Sequence, residues 1–296
     1  MGAIQNYLQK RRKFGTVADS TYNHISEWLA WYKGTVKKFH FYWIYDGIQS
    51  KNQERFRMGM AKKVCEDWAN LLLNERVAIK AGAFEKRLNE ILEDNNFNTR
   101  ANQLIELTFA WGTGAFVEYL DPDGNKMIDY IRADMIYPIS WDNGDITECA
   151  FGSVKTVNEK ERLYLQIHRK GIAEEGESPN EYYIENKYLD ADTGDEVELP
   201  EDIEAIVATG YEKPMFQIIV PNVVNNLELD SQMGISVYAN AIDNVKGCDL
   251  VYASYMNEFI LGGKRILVPY SRAKMEMQKD GDVAPVFDPN DTVYFA

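Results

Sequence analysis

The chain has 296 residues, 45% of them hydrophobic and 26% charged, a composition that excludes wholesale disorder and suits one large or two ordinary folded domains. Its 32 Lys+Arg against 46 Asp+Glu give a formal net charge of −14, which argues against a tight grip on nucleic-acid phosphate but not against a surface that surrounds DNA. The three cysteines, Cys65, Cys149 and Cys248, lie far apart and at no metal-ligand spacing, so neither a disulfide framework nor a zinc site is expected, and a reducing compartment is the simple reading.

The N-terminus carries a basic cluster, Lys10-Arg11-Arg12-Lys13, with no apolar run after it. It reads as the solvated face of a first helix, with a nucleic-acid patch as the second reading, and not as a signal peptide. Between Phe14 and Gly47 aromatics are dense, including Trp28, Trp31, Phe39, Phe41, Trp43 and Tyr45. They could form a stacking platform for sugars or bases. The densest part carries no clustered Lys or Arg, which favours an apolar arm packed on its own body or on a neighbour.

Three helices are predicted next. Phe56, Met60, Val64, Trp68, Leu71 and Leu72 mark the first, over Gln53 to Leu73. Phe84, Leu88, Ile91 and Leu92 mark the second. Thr99 caps the third, which carries Leu104, Leu107 and Trp111 before Gly112 stops it. From Gly114 the period changes to two. Ala115–Leu120 and Lys126–Ile131 predict a hairpin around a turn rich in Asp, Pro and Gly. Strands follow at Ile146–Val157, Arg162–Arg169, Tyr182–Leu189 and Val197–Leu199, as an antiparallel meander with one wet face, and Phe216–Val220 is a last apolar strand after it.

The most prominent stretch is Ser236–Ile260. Apolar residues recur at Tyr238, Ile242, Val245, Cys248, Tyr252, Tyr255 and Phe259, which predicts one helix roughly 35–40 Å long. Ser236 is the expected N-cap and Gly262-Gly263 the expected stop. Asp243, Lys246, Asp249 and Glu258 interrupt it, so it does not span a membrane. Asp249 falls close to the apolar stripe, which predicts that part of this face is wet. A last strand is expected at Arg265–Val268. The fold class is α+β: N-terminal helices, an antiparallel meander, and one long helix leading into a short β segment.

No catalytic constellation is expected. His24, His40 and His168 pair with no nucleophile in the sequence, and Gly112-Thr113-Gly114 follows a helix instead of a strand, so it is a helix stop and close-packing point and not a dinucleotide loop. No Walker loop is present, so ATP hydrolysis is not expected. Asp121, Asp123, Asp142 and Asp145 could in principle serve an acidic carbohydrate-active hydrolase, yet all sit in turns where Asp is favoured for local hydrogen bonding. Asp190, Asp192 and Asp195 lack the downstream Glu of a calcium loop. No catalytic, metal or cofactor residue is therefore named.

Four blocks, taken together, resemble a known family: RMGMAKKVCEDWANLLLNERV (Arg57–Val77), WGTGAFVEY (Trp111–Tyr119), DMIYPISWDNGDITECAF (Asp134–Phe151) and GISVYANAIDNVKGCDLVYASYMNEFILGGKRILVP (Gly234–Pro269). In order and content they are similar to the portal proteins of tailed phages of Gram-positive hosts. The resemblance implies a dodecameric ring at one capsid vertex of the virion. It also implies contacts with the terminase large subunit, major capsid and scaffolding proteins, head–tail adaptors and double-stranded DNA read without sequence specificity. By the same resemblance, residues 1–113 are the helical part of a wing, 114–233 its β-rich part, 234–262 a stem helix and 263–296 the start of a clip. The family continues into a second stem helix, a tunnel loop and a crown, so the chain reads as an N-terminal portion. Asp243, Lys246, Asp249, Val245 and Tyr252 are the expected channel or subunit-interface residues. The alternatives are the acidic hydrolase and a different head–tail adaptor that binds protein only.

Overall fold

The computed structural model describes residues 2–12, 14–15, 17–45, 50–73, 77–121, 123–157, 160–173, 176–201, 203–262, 275–277 and 283–285. The fold is mixed helix and antiparallel sheet, as the sequence predicts. The chain divides into two compact units, Met1–Leu250 and Val251–Ala296.

In the first unit a short helix, α1 (Gly2–Asn6), runs into a π-turn, Tyr7–Arg11. Ile4, Tyr7 and Leu8 enter the core. Arg12, in the basic cluster, pairs with the buried Glu185 at 2.7 Å. Helix α2 (Asp19–Lys33) buries Tyr22, Ile25, Trp28 and Trp31, so much of the aromatic arm packs on its own body. Gly34, at φ 64°, closes α2 in the left-handed conformation that glycine adopts without strain. Glu228 accepts hydrogen bonds from the Ser20 and Thr21 hydroxyls in the first turn of α2.

A hairpin follows that periodicity did not predict: β1 (Phe41–Tyr45) against β2 (Ser50–Glu54). The predicted helix Gln53–Leu73 is correspondingly shorter, α3 (Met60–Leu72), because Gly59 at φ 68° breaks the chain direction before it. Its buried face is also not the predicted one. Small residues at i, i+4 spacing, Ala61, Cys65 and Ala69, pack inward, while Trp68, Leu71 and Leu72 are exposed. Helix α4 (Glu85–Asp94) buries no residue fully. Helix α5 (Phe97–Trp111) starts after Asn96, so Thr99 lies inside it and caps nothing.

Strands β3 (Gly114–Leu120) and β4 (Lys126–Arg132) form the expected hairpin, and β11 (Phe216–Ile219) adds on β3. A second sheet has β5 (Ile136–Asp142) as its outer strand, then β6 (Asp145–Val157), β7 (Lys160–Lys170), β8 (Tyr182–Asp190) and β10 (Ile206–Ala208), with β9 (Glu196–Val197) also on β8. Strand β5 escaped the sequence pattern because Pro138 sits within it. An edge strand tolerates that proline, and the register slips beside it. On β7 the alternation is clear, with Leu163, Leu165 and Ile167 inward. Gly152 on β6 leaves room for Ile4, whose side chain a Cβ there would crowd.

The long helix also begins later than expected. Residues Ala239–Ala241 form a 3-10 turn, and α6 spans Ile242–Leu261, roughly 30 Å. Ser236 is no N-cap; its hydroxyl donates to the Phe109 carbonyl at 3.3 Å. The start of this segment crosses the end of α5. Gly112, at φ 84°, stops α5, and a Cβ on it would collide with the Gly234 carbonyl. In the second unit, β12 (Met275–Met277) pairs with β13 (Val283–Pro285). The expected strand Arg265–Val268 lies outside the described residues.

Two outcomes test this core. Gly112→Ala should destabilise by about 2 kcal/mol or more, whereas Gly124→Ala, at φ 80° but facing open space, should cost only about 1 kcal/mol; thermal melts of both variants separate collision from strain. The second concerns His168, 1% exposed between the rings of Phe151 and Phe216, with no hydrogen-bond partner for Nε2. Burial pushes its pKa down to about 4 from an ordinary 6.5. The unfolded state therefore binds more protons between those values. His168's contribution is complete above pH 6.5 and lost as pH falls through about 4, a total of about 3 kcal/mol. Urea titrations from pH 7 to pH 4 should show a shallower loss for His168→Phe than for the parent chain.

Candidate functional site

The carboxylates Asp121 and Asp190 are committed to turns. Asp121 accepts from the side chain and N–H of Asn125 and from the Asp123 N–H, which hold its pKa below the usual carboxylate value. Asp190 accepts from the Thr193 and Asp192 N–H groups and pairs with Arg162. Among the described residues, no three His, Cys, Asp or Glu converge as a metal ion would require.

A buried polar cluster sits instead at the long helix. Asp249 is 3% exposed, with the buried Val245 one turn before it. A carboxylate in that position must be hydrogen-bonded, since an unpaired buried charge costs several kcal/mol. Two groups meet it. His40 Nε2 lies 3.0 Å from Oδ2, and the Met58 N–H donates to Oδ1 at 2.8 Å. His40 is fully buried, and its Nδ1 accepts the Val36 N–H at 3.0 Å. The ring proton of the neutral imidazole therefore sits on Nε2 and points at Asp249. The rings of Trp31 and Phe39 pack against the imidazole.

His40 and Met58 flank the β1–β2 hairpin, so this one carboxylate holds both ends of its base. Arg55 and Arg57 reinforce the base. The Arg55 N–H donates to the His40 carbonyl at 2.7 Å. The Arg55 guanidinium lies over the rings of Phe39 and Tyr42, at 4.7 and 4.8 Å, and donates to the Phe39 carbonyl. Arg57 donates to the Gly34 carbonyl and to Glu54. Above this base, β1 turns outward: Trp43 is 71% exposed, and Phe41, Ile44 and Tyr45 are exposed as well.

The other expected residues of the long helix are placed as follows. Val245 belongs to the hydrophobic core. Asp243 and Lys246 are exposed, and the Lys246 ammonium lies 5.9 Å from the centre of the Phe39 ring. Tyr252 is half-buried. Tyr255 and Phe259, also on the predicted stripe, are exposed and stack edge to face at 4.7 Å. The expectation of a wet patch around Asp249 is corrected: the carboxylate is inside, and its partners come from a segment 191 and 209 residues away. A lone Asp on an apolar helical stripe signals such a partner, but periodicity does not say which residue supplies it.

Asp249→Ala should lower stability by about 2–4 kcal/mol, because it strands the buried His40 ring N–H and removes the acceptor of the part-buried Met58 N–H. Asp243→Ala and Lys246→Ala, at exposed positions, should stay within about 0.5 kcal/mol of the parent chain. Urea unfolding of the three variants checks this ranking.

No curated protein matches this chain. The family described as "Phage portal protein, SPP1 Gp6-like" matches residues 16–293, which takes in most of the aromatic arm, the three sheets of the first unit, the Asp249 cluster and all of α6. On that match, the chain belongs to the SPP1 Gp6-like family of phage portal proteins.

Proposed function

We propose that copies of this chain assemble into a dodecameric ring at one capsid vertex, through which DNA is packaged and later ejected. The family match over residues 16–293 carries the proposal. In this reading the terminase large subunit docks on the ring during packaging, capsid and scaffolding proteins surround it, and head–tail adaptors attach afterwards. Residues 1–113 and 114–233 form a wing, 234–262 a stem and 263–296 the start of a clip. The host is a Gram-positive bacterium, by the resemblance of the four sequence blocks.

The physical features are consistent with such a part. A net charge of −14 suits a passage in which DNA slides without being held. Asp243 and Lys246 present both signs of charge on the exposed side of α6, available to a neighbouring subunit or to passing DNA. Val245 and Asp249 act from inside the chain by anchoring the N-terminal half of α6 on the body, and Tyr252 lies on the same helix. The protein works as a scaffold in this account, with no chemical step of its own.

Negative-stain microscopy of the purified protein should show rings with a central hole, and the same preparation should turn over ATP no faster than a buffer blank. Compact particles without a hole, or turnover abolished by a single substitution in this chain, would contradict the proposal.

A further inference from the structure

Charge is segregated along this acidic chain. Residues 33–63, which hold the β1–β2 hairpin and its flanks, carry eight Lys/Arg and two Asp/Glu. Residues 190–212, the β9–β10 end of the meander, carry nine Asp/Glu and no Lys or Arg. Both segments present described charged residues at the surface. Lys33, Lys37 and Lys38 are exposed on one, and Glu201, Glu204 and Glu212 on the other. Each also exposes apolar side chains: Trp43, Phe41 and Ile44 on the hairpin, and Ile206 and Tyr211 at the acidic end.

Neither surface is finished as it stands. A two-stranded ribbon by itself is marginal in water. On β1 only Tyr42 is even half-covered, and the base is fixed by Asp249 while the aromatic face is left open. Among the described residues, strand β10 is the outer strand of its sheet, and one row of its backbone groups has no strand beside it.

We propose that the β1–β2 hairpin of one copy docks on the acidic β9–β10 edge of the next copy of this chain. The proposal rests on the ring reading above. A closed ring of identical subunits needs a heterologous contact, made by two different patches of one chain that fit each other. Here a basic patch and an acidic patch, each with exposed apolar side chains, meet that need. Without such pairing, chains of net charge −14 repel one another. Duplex DNA fits the hairpin less well: its phosphates would satisfy the lysines, but its stacked bases would leave Trp43 and Phe41 uncovered.

The test is a charge swap in the 296-residue chain. One variant carries Lys37→Glu and Lys38→Glu, the other Glu201→Lys and Glu204→Lys. All four positions are exposed, so both variants should melt close to the parent. Sedimentation velocity should show each variant alone associating roughly tenfold or more weakly than the parent, and the equimolar mixture recovering association. Variants that assemble like the parent, or a mixture that fails to recover, would overturn the docking proposal while leaving the ring intact. Loss of binding to short duplex or single-stranded DNA by the lysine variant, with assembly unchanged, would assign the hairpin to nucleic acid instead. A parent chain that stays monomeric throughout would overturn the ring reading and this proposal together.

Discussion

A carboxylate placed on the buried side of a helix must find donors or unfold its surroundings. Much of the N-terminal architecture follows from how Asp249 finds them. One donor is an imidazole, whose tautomer is set by a backbone N–H four residues earlier in the chain. The other is the backbone N–H of Met58, just ahead of α3. The N-terminal half of the long helix, the exit from α2 and the entry to α3 therefore meet at one side chain. The His40–Asp249 bond is costly to break from either side, because removing one partner strands the other in a buried site.

A second constraint acts at the crossing of α5 with the segment before α6. Gly112 and Gly234 approach so closely that neither position has room for a Cβ, and Thr113 Oγ1 accepts the Gly234 N–H. The Tyr238 hydroxyl, donating to the Trp28 carbonyl, ties the same segment to α2. Together these contacts explain why α6 starts at Ile242 and not at Ser236. The backbone from Gly234 to Tyr238 is engaged with α5 and α2, and cannot join the helix until it has passed them.

The parts of this fold with strong local signals were legible in the sequence. The β3–β4 hairpin, the strands β6 to β8 and the Gly112 stop depend on alternation and turn residues, which act within a few positions. The elements that were missed depend on distant partners. Strand β2 is a polar run, Ser50 to Glu54, that is extended only because β1 lies beside it. Helix α3 turns its small residues inward and leaves its large ones out, the reverse of what hydrophobicity alone suggests. The charged residues of the long helix were legible as a set, but not their division into exposed Asp243 and Lys246 and buried Asp249, since that division is made by His40.

The clamp at the hairpin base also bears on how this region can change in length. By holding residues 40 and 58 together, Asp249 closes the intervening chain into a loop whose ends are fixed independently of what lies between them. Lengthening a closed surface loop adds little to its closure entropy, about 0.6 kcal/mol per doubling. Residues could thus be inserted or removed in matched pairs along β1 and β2, changing how far the hairpin reaches, while α2, α3 and α6 keep their places. The reach of this arm is then a property that can drift or be adjusted separately from the body that carries it.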